Sequence, residues 1–277
     1  EAYHEAEIRE LRFAVPASTR QAIRAALPGY ERARAGLCSE CLEYRGWGRD
    51  EAQDWGVPPD AAVQMALQIA YCRLHGRVGP AAEAVSMRRF FAGRTETVRS
   101  CTAEAREMCK DWRDGPGGAG SLLRAAARHS GLVQAAQAGG GIDRHLFALE
   151  RFAQAGGEDI ALFRDPLFLR SKASAMATSN VTGPFVSCCG LVPAHSQGRG
   201  IGCTVKASSL SVCISAFALG GEGPRVFAEI LAQVLDDVKA VLARSAAAEP
   251  AAAAGVRRHP SLLGAERLGS KKPPPPN

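Results

Sequence analysis

The sequence predicts a mixed α/β or α+β fold, and two patterns near its end carry this prediction. Leu210, Val212, Ile214 and Ala216 alternate with small polar residues, as in a strand with one buried face. The stretch 226–242 then has apolar residues at helical spacing and predicts the strongest amphipathic helix of the chain. With 277 residues and 46% apolar content, the chain is long enough to bury a sizeable core.

Shorter patterns predict the first elements. Residues 10–15 alternate apolar and polar side chains, which predicts a strand. Ser18 or Thr19 is placed to cap the following helix, which Pro28 should kink or end. Residues 46–59 mix glycine, proline, tryptophan and charge without a period, which predicts a loop.

Three helices are predicted in the middle of the chain. Pro59 opens the first and Gly76 ends it. Its apolar side chains at helical spacing are Val63, Ala66, Leu67, Ala70 and Leu74. The second helix runs from Thr102 to Trp112, and the third starts at Ser121 after the glycine-rich connector 115–120.

The last third combines strand signals with a biased tail. From Phe185 onward the pattern favours strands, interrupted by a glycine-rich loop at 198–202. Near the C-terminus an alanine run, scattered arginines and Pro273–Pro276 predict low complexity. We therefore expect a folded unit over 1–246 and a disordered tail over 247–277.

Composition excludes several functional classes. The formal net charge is +6, but half of this excess falls in the predicted tail, and the body has no basic stripe. Nucleic-acid binding is therefore disfavoured. No apolar run reaches the length of a membrane span. The chain opens at Glu1 without a charged and then apolar leader, so no targeting signal can be read, and we expect the N-terminus to be cut.

The nine cysteines include a Cys-x-x-Cys, Cys38 to Cys41, and an adjacent pair, Cys188 and Cys189. A structural zinc site needs a second pair or a histidine pair at ligand spacing, and the sequence has neither. We predict no metal, and we interpret the cysteines as packing thiols in a reducing compartment.

The span 86–102 carries the clearest sequence signal for a binding site. Gly93 can take a backbone angle closed to other residues, and polar groups surround it. The donors for a carboxylate or phosphate would be Arg94, Thr95, Thr97, Arg99 and Ser100. An anion-binding turn is one interpretation, and a solvated surface turn with two salt bridges is the other.

This span resembles the signature of the choline/carnitine acyltransferase family, and its Thr-Glu-Thr core at 95–97 resembles the carnitine branch. Three further matches occur in the family's order, at 59–71, 141–146 and 177–179. The resemblance runs from about residue 10 to 242 and corresponds to the C-terminal part of that family, with octanoyl-like or palmitoyl-like members most similar.

The resemblance implies a chloramphenicol-acetyltransferase-like mixed sheet flanked by helices, as the C-terminal half of a two-domain fold. The implied reaction is reversible transfer of a fatty acyl group between coenzyme A and carnitine, without a metal, in mitochondria or peroxisomes. The family's general base is a histidine in the middle of its full-length chain. None of the six histidines here has that context, so a missing N-terminal half of the same enzyme is the implied partner.

The resemblance also implies site residues. Ser179 would donate a hydrogen bond to the oxyanion. Thr95 and Arg144 would bind the carboxylate of carnitine, since choline enzymes carry asparagine at the arginine position. The positions that match coenzyme A contacts are Arg49, Asp60, Glu83 and Asn180.

Four positions depart from the family pattern: Gln53 replaces a lysine, Ala82 and Arg199 each replace a tyrosine, and Ala177 replaces a serine. The chain is therefore either a fragment of a carnitine acyltransferase or a degenerate module that binds coenzyme A or acyl-carnitine. A choline acetyltransferase is disfavoured by the residues at 95–97 and by Arg144.

Overall fold

The computed structural model describes residues 9–218 and 223–248. The helices are α1 (Ala17–Ala35), α2 (Arg49–Asp54), α3 (Pro59–His75), α4 (Ala103–Trp112), α5 (Ala119–Ala135), α6 (Asp143–Gly156), α7 (Ala161–Arg164), α8 (Pro166–Lys172) and α9 (Pro224–Ala248), with a π-helical turn at Ala136–Gly140. The strands are β1 (Leu37–Tyr44), β2 (Ala81–Ser86), β3 (Thr95–Val98), β4 (Met176–Asn180), β5 (Arg199–Val205) and β6 (Leu210–Phe217).

The strands form one six-stranded sheet in the order β1-β6-β5-β4-β2-β3. Strands β2, β4 and β5 run parallel, whereas β1, β6 and β3 pair antiparallel with their neighbours. The predicted mixed α/β class, a mixed sheet flanked by helices, is confirmed. The two inner parallel pairs place β4 at the centre of the sheet, where long crossover connections must precede and follow it.

The main core lies between one face of the sheet and the helices. Helix α3 packs against α4, α5 and α9, and every residue from 61 to 72 is buried. Trp47, Trp112 and Phe227 are the largest side chains that are fully buried there. The indole of Trp47 donates a hydrogen bond of 3.0 Å to the carbonyl of Leu235 on α9, so burial leaves its polar atom satisfied.

Several predicted boundaries are confirmed. Helix α3 begins at Pro59 and ends at Gly76, which adopts the left-handed conformation at φ 69°. The hydroxyl of Thr102 caps α4 by accepting a hydrogen bond of 3.1 Å from the amide of Ala105. Strand β6 and helix α9 lie where the two C-terminal patterns predicted them. Helix α9 ends at Ala248, and the rest of the predicted tail, 249–277, lies outside the described residues.

Predictions for the N-terminal region were partly wrong. Residues 10–15 form no strand, because no neighbouring strand in the described part of the chain pairs with them. The side chains of Leu11 and Phe13 are 78% and 81% exposed. Helix α1 continues through Pro28 to Ala35 and buries no residue. The predicted loop 46–59 contains the short helix α2. Local alternation therefore failed where a partner for pairing was missing.

The prediction of a loop at 198–202 was wrong, because these residues form the first half of β5. The glycines there do not form a turn. The segment 188–192 crosses the sheet face opposite the helices, directly over β5. A Cβ added at Gly202 would lie 2.1 Å from the carbonyl oxygen of Cys189, and one added at Gly200 would lie 2.0 Å from that of Leu191. Backbone passes over backbone here, and only glycine leaves room.

We therefore expect Gly202→Ala to lower the free energy of unfolding by about 1–3 kcal/mol, because the contact atom is backbone and cannot rotate away. Gly183→Ala is the matched control in the same connection, since its added Cβ would meet only a side-chain carbon of Val186 at 3.6 Å. Chemical denaturation of both variants measures the difference, and equal stability would show that the crossing segment is not packed on β5.

Candidate active site

The segment Ala177-Thr178-Ser179 lies inside β4, in the middle of the sheet. Side chains alternate across a strand, and Thr178 and Asn180 face the helices. Ser179 therefore faces the opposite side of the sheet. The predicted site is divided between the two faces.

On the helix face, α3 presents one polar row along an otherwise apolar surface. Asp60, Gln64 and Gln68 recur every four residues, so they lie on one side of the helix. The amide of Asn180 donates a hydrogen bond of 2.8 Å to Asp60, and the amide of Gln64 donates one of 3.1 Å to the hydroxyl of Thr178. This row fixes β4 against α3.

Next to this row, a buried ion pair joins β2 to α5. Nε2 of His129 lies 2.6 Å from Oε2 of Glu83, and the two side chains are only 1% and 4% exposed. The ligand atoms of Glu83, His129 and Asp60 all come within 4.8 Å of one another. Three of the four residues predicted to bind coenzyme A, Asp60, Glu83 and Asn180, are thus brought together, around a histidine that the sequence analysis left without a role.

This environment shifts both titrating groups of the pair. Burial raises the pKa of Glu83 to about 7; His129 opposes this shift and Asp60 reinforces it. Burial alone would lower the pKa of His129, but the hydrogen bond to Glu83 outweighs it and raises the pKa. Both pKa values are raised, so the pair favours holding a proton at neutral pH. The cluster also has the donor atoms of a metal site, and the predicted absence of a metal stays a prediction.

The opposite face of the sheet is lined by small residues around Ser179. Cross-strand register places Ser179 beside Gly202 and places Ala177 between Ala82 and Gly200. Ser179 is half-buried, and within residues 9–218 and 223–248 its hydroxyl makes no hydrogen bond. Its proton is free for a ligand, whereas the hydroxyl of its neighbour Thr178 is used by Gln64.

The two residues predicted to bind carnitine both lie at the edge of the sheet, one on β3 and one at the start of the helix beside it. Thr95 starts β3 on the same face as Ser179 and is exposed. Glu96, which is buried, accepts a hydrogen bond of 3.1 Å from the backbone amide of Arg144 at the start of α6. This contact docks α6 beside β3. The guanidinium of Arg144 is exposed and has no ion-pair partner in the described part of the chain.

The predicted anion-binding turn is only partly available. Arg99 forms an ion pair of 2.6 Å with Asp143 and also contacts Ser174, so its charge is already used to hold α6. Ser100 is buried and accepts a hydrogen bond from Gln68. The conformational role given to Gly93 was wrong: the positive φ, 53°, belongs to Ala92, and Gly93 is needed because a Cβ would lie 1.9 Å from the carbonyl of Met87.

Arg49, the fourth predicted coenzyme A contact, lies apart on α2. The close approach of Gly48 to the β5–β6 turn positions it, since the amide of Arg49 donates a hydrogen bond of 2.8 Å to the carbonyl of Lys206. Its guanidinium pairs with Asp50 at 2.9 Å and both side chains are about half exposed. Such a pair contributes little, so the guanidinium is free to exchange to a phosphate.

The prediction that the cysteines are packing thiols holds for only part of the set. Cys72, Cys109 and Cys203 are buried. Cys38 and Cys41 are exposed on β1 and, three residues apart on a strand, face opposite sides of the sheet. Their Cys-x-x-Cys spacing therefore cannot bind one ion.

The sequence profile described as choline/carnitine O-acyltransferase matches residues 1–233. The chain belongs to the choline/carnitine O-acyltransferase family. Within the family, it is 28% identical over 238 residues to the mitochondrial carnitine O-palmitoyltransferase 2 of Macaca fascicularis, an alignment that covers 83% of this chain. It is 40% identical over 133 residues to the peroxisomal carnitine O-octanoyltransferase of Mus musculus, covering 46% of this chain.

The chain spans only 36% of the palmitoyltransferase and 22% of the octanoyltransferase. Among solved structures, it is similar to the epimerization domain from the third module of tyrocidine synthetase B, with a TM-score of 0.41, 7% identity, and coverage of 77% of this chain and 49% of that one. It is also similar to the wax ester synthase/diacylglycerol acyltransferase from Marinobacter aquaeolei VT8, with a TM-score of 0.38, 13% identity, and coverage of 82% and 57%.

The sequence had suggested no role in the site for His129, Glu96 or Gln64. The signal for Gln64 was available, because a polar residue recurring at intervals of four on an apolar helix faces a polar partner. His129 continues the apolar stripe of α5 that includes Leu122 and Ala126, so its burial could have been predicted. Its partner Glu83 could not, because the two residues are 46 positions apart.

Proposed function

We propose that this chain is the C-terminal, substrate-holding part of a carnitine O-acyltransferase that transfers a fatty acyl group reversibly between coenzyme A and carnitine. The observation that carries the proposal is the free hydroxyl of Ser179 on a sheet face lined by small residues. A hydroxyl fixed on a central strand can donate to the oxyanion that develops when the alkoxide of carnitine attacks the thioester carbonyl.

The arrangement around Ser179 supports binding of carnitine on that face. Thr95 lies two strands away, about 10 Å across the sheet, on the same side. Arg144 projects from the helix that Glu96 and Arg99 hold against β3. An unpaired guanidinium is suited to a carboxylate and would be unfavourable next to the cationic end of choline.

Coenzyme A would approach the end of β4, where Asp60 and Asn180 form the accessible part of the polar cluster, so that its thioester lies beside Ser179 on the opposite face. Both are partly exposed, whereas Glu83 is 3% exposed and paired with His129. Glu83 would therefore act by holding this cluster together. Arg49 would reach a phosphate of the cofactor from α2, as a charged donor.

The general base would come from a missing N-terminal half. His129 lies on the opposite face from Ser179 and its Nε2 is bound to Glu83, while His145 is exposed on α6. Several large apolar side chains are unusually exposed and suit a covering domain: Phe91, Phe152, Leu167 and Phe185 are 104%, 77%, 71% and 98% exposed. The relatives' names place them in mitochondria and peroxisomes, and we propose one of these compartments here.

A second candidate is a binding module without turnover, favoured by the lost side chains on the substrate face. Ala82 and Ala177 are register partners beside Ser179, and neither carries a hydroxyl. A site that retained only Ser179 and Thr95 could hold an acyl-carnitine without stabilising the transition state.

Thiol release from octanoyl-CoA in the presence of carnitine tests both candidates. We expect no release above background from the 277-residue chain, and saturable, carnitine-dependent release once the chain is extended by its upstream coding sequence. Saturable turnover by the chain alone would contradict the proposed location of the base. Calorimetric binding of coenzyme A by an extended protein that shows no turnover would support the binding module instead.

A further inference from the structure

A row of residues crosses the sheet on the face that carries Ser179. Cross-strand register aligns Ser179 on β4 with Gly202 on β5, Cys213 on β6 and Cys41 on the edge strand β1. The connection that follows β4 lies over this row. Its Val181 amide donates a hydrogen bond of 2.9 Å to the carbonyl of Cys203, and the chain then turns back.

The returning segment 188–192 brings further sulfur atoms to this row. Sγ of Cys188 lies 3.4 Å from Sγ of Cys41, although the two residues are 147 positions apart. Cys213 lies below the segment, since a Cβ added at Gly190 would be 3.7 Å from its Sγ. The thiol of Cys189 is directed elsewhere and donates to the carbonyl of Cys203 at 3.5 Å.

We propose that Cys41 and Cys188 form a reversible disulfide that ties the segment 188–192 to the edge strand. The sulfur atoms would need to approach by only roughly 1.4 Å, from 3.4 Å to the bond length of about 2.05 Å. Cys41 is exposed and Cys188 is half-buried, so an oxidant can reach the pair. A shared metal ion fits less well, because no three of these sulfurs come within 4.8 Å of one another in the described part of the chain.

A peroxide supplies the oxidising equivalents. The sulfur of Cys188 attacks one oxygen of hydrogen peroxide, which yields a sulfenic acid and one water. The sulfur of Cys41 then attacks the sulfenic sulfur, the S–S bond forms, and the hydroxyl leaves with the thiol proton as a second water. Two thiols and one peroxide thus give one disulfide and two waters. Burial and the neighbouring thiols raise the pKa of Cys41 to about 12, which disfavours the thiolate that attacks in the second step, so we expect the crosslink to form faster at alkaline pH.

Closure would hold the segment over the face that carries Ser179. The bond would join an edge strand to the connection that directly follows the Ser179-Asn180 end of β4. Because the two anchor points are far apart in sequence, the crosslink would act on the segment's position relative to the sheet and not on a local turn. A thiol reductant would reverse the change.

Thiol counting and peptide mapping after treatment with hydrogen peroxide test the proposal on the full chain. We expect titratable thiols under denaturing conditions to fall from nine by two, and dithiothreitol to restore them. Trypsin leaves Cys41 with Cys38 on one peptide and Cys188 with Cys189 on another. The double variant Cys38→Ser/Cys189→Ser therefore makes the assignment unambiguous and should keep the crosslink.

Cys41→Ser and Cys188→Ser should each abolish the crosslink, and Cys38→Ser is the matched control on the same strand but the opposite face. A crosslink that maps to Cys213, that joins two chains, or that fails to form in the double variant would overturn the proposal. Circular dichroism of each variant shows that it is folded, and serine differs from cysteine by one atom, so loss of the fold is not expected to obscure the result.

Discussion

Replacing His129 with alanine is expected to lower the free energy of unfolding by about 3–5 kcal/mol near pH 7.5, because the change leaves the carboxyl of Glu83 buried without its partner. Removing one member of a buried pair costs more than the pair contributes, since the remaining group keeps its desolvation penalty. His145→Ala is the matched control: this histidine is exposed on α6, and its loss should change stability by less than about 0.5 kcal/mol.

The stability of the unsubstituted chain should itself rise as the pH is lowered through 7, and the sign follows from the raised pKa of Glu83. A folded-state pKa of about 7 against an ordinary value of 4.5 means that the folded protein binds a proton more tightly than the unfolded chain. The contribution of Glu83 to the free energy of unfolding is therefore largest below about pH 4.5 and is lost as the pH rises through 7. The raised pKa of His129 acts in the same direction.

Chemical denaturation between pH 4.5 and 8 checks the expectation. Glu83→Gln removes the titrating carboxyl and keeps an acceptor for Nε2 of His129, so it should flatten the pH dependence relative to the unsubstituted chain. A His129→Ala loss below about 1 kcal/mol at every pH would show that the pair is not buried in solution. An unchanged slope in Glu83→Gln would place the pH dependence elsewhere.

Replacing Ser179 with alanine should lower kcat about 10²–10³-fold in a protein that includes the proposed N-terminal half, with little change in the KM of either substrate. The reason is that a donor to the oxyanion acts mainly in the transition state, where charge develops on the carbonyl oxygen. Substrate saturation with octanoyl-CoA and carnitine measures the effect. The fold should be unaffected, because the hydroxyl of Ser179 has no partner in the described chain.

Arg144→Asn is the contrasting variant for the same assay. It should raise the KM for carnitine about tenfold to a hundredfold and leave that for octanoyl-CoA nearly unchanged, as expected for one charged hydrogen bond of about 1.5–3 kcal/mol. A loss of kcat below tenfold in Ser179→Ala would contradict an oxyanion role. Equal effects of Arg144→Asn on both substrates would make Arg144 a structural residue.

Regions with a strong local signal could be predicted from the sequence. Helix α3 begins at Pro59 and is capped at its end by Gly76, and helix α4 begins after Thr102. Both helices match the prediction because N-capping and the left-handed glycine at a helix end are local effects. The alternation in β6 succeeded for a related reason: neighbours on both sides and a helix layer gave its apolar face a place to be buried. Residues 10–15 show the same alternation and no strand, because a strand also needs a partner.

The sequence by itself determined the family and predicted the residues of its site, since the signature spans are short, ordered and local. Only the tertiary structure decided which of those residues lie on each face of the sheet. Because side chains alternate along β4, Ser179 and Asn180 face opposite sides of the sheet, so the proposed oxyanion donor and the proposed coenzyme A contact are neighbours at the end of one strand but point to opposite faces. It also decided that Glu83 meets His129 and that Cys41 meets Cys188, since contacts between residues 46 and 147 positions apart depend on strand order and register, which no local pattern encodes.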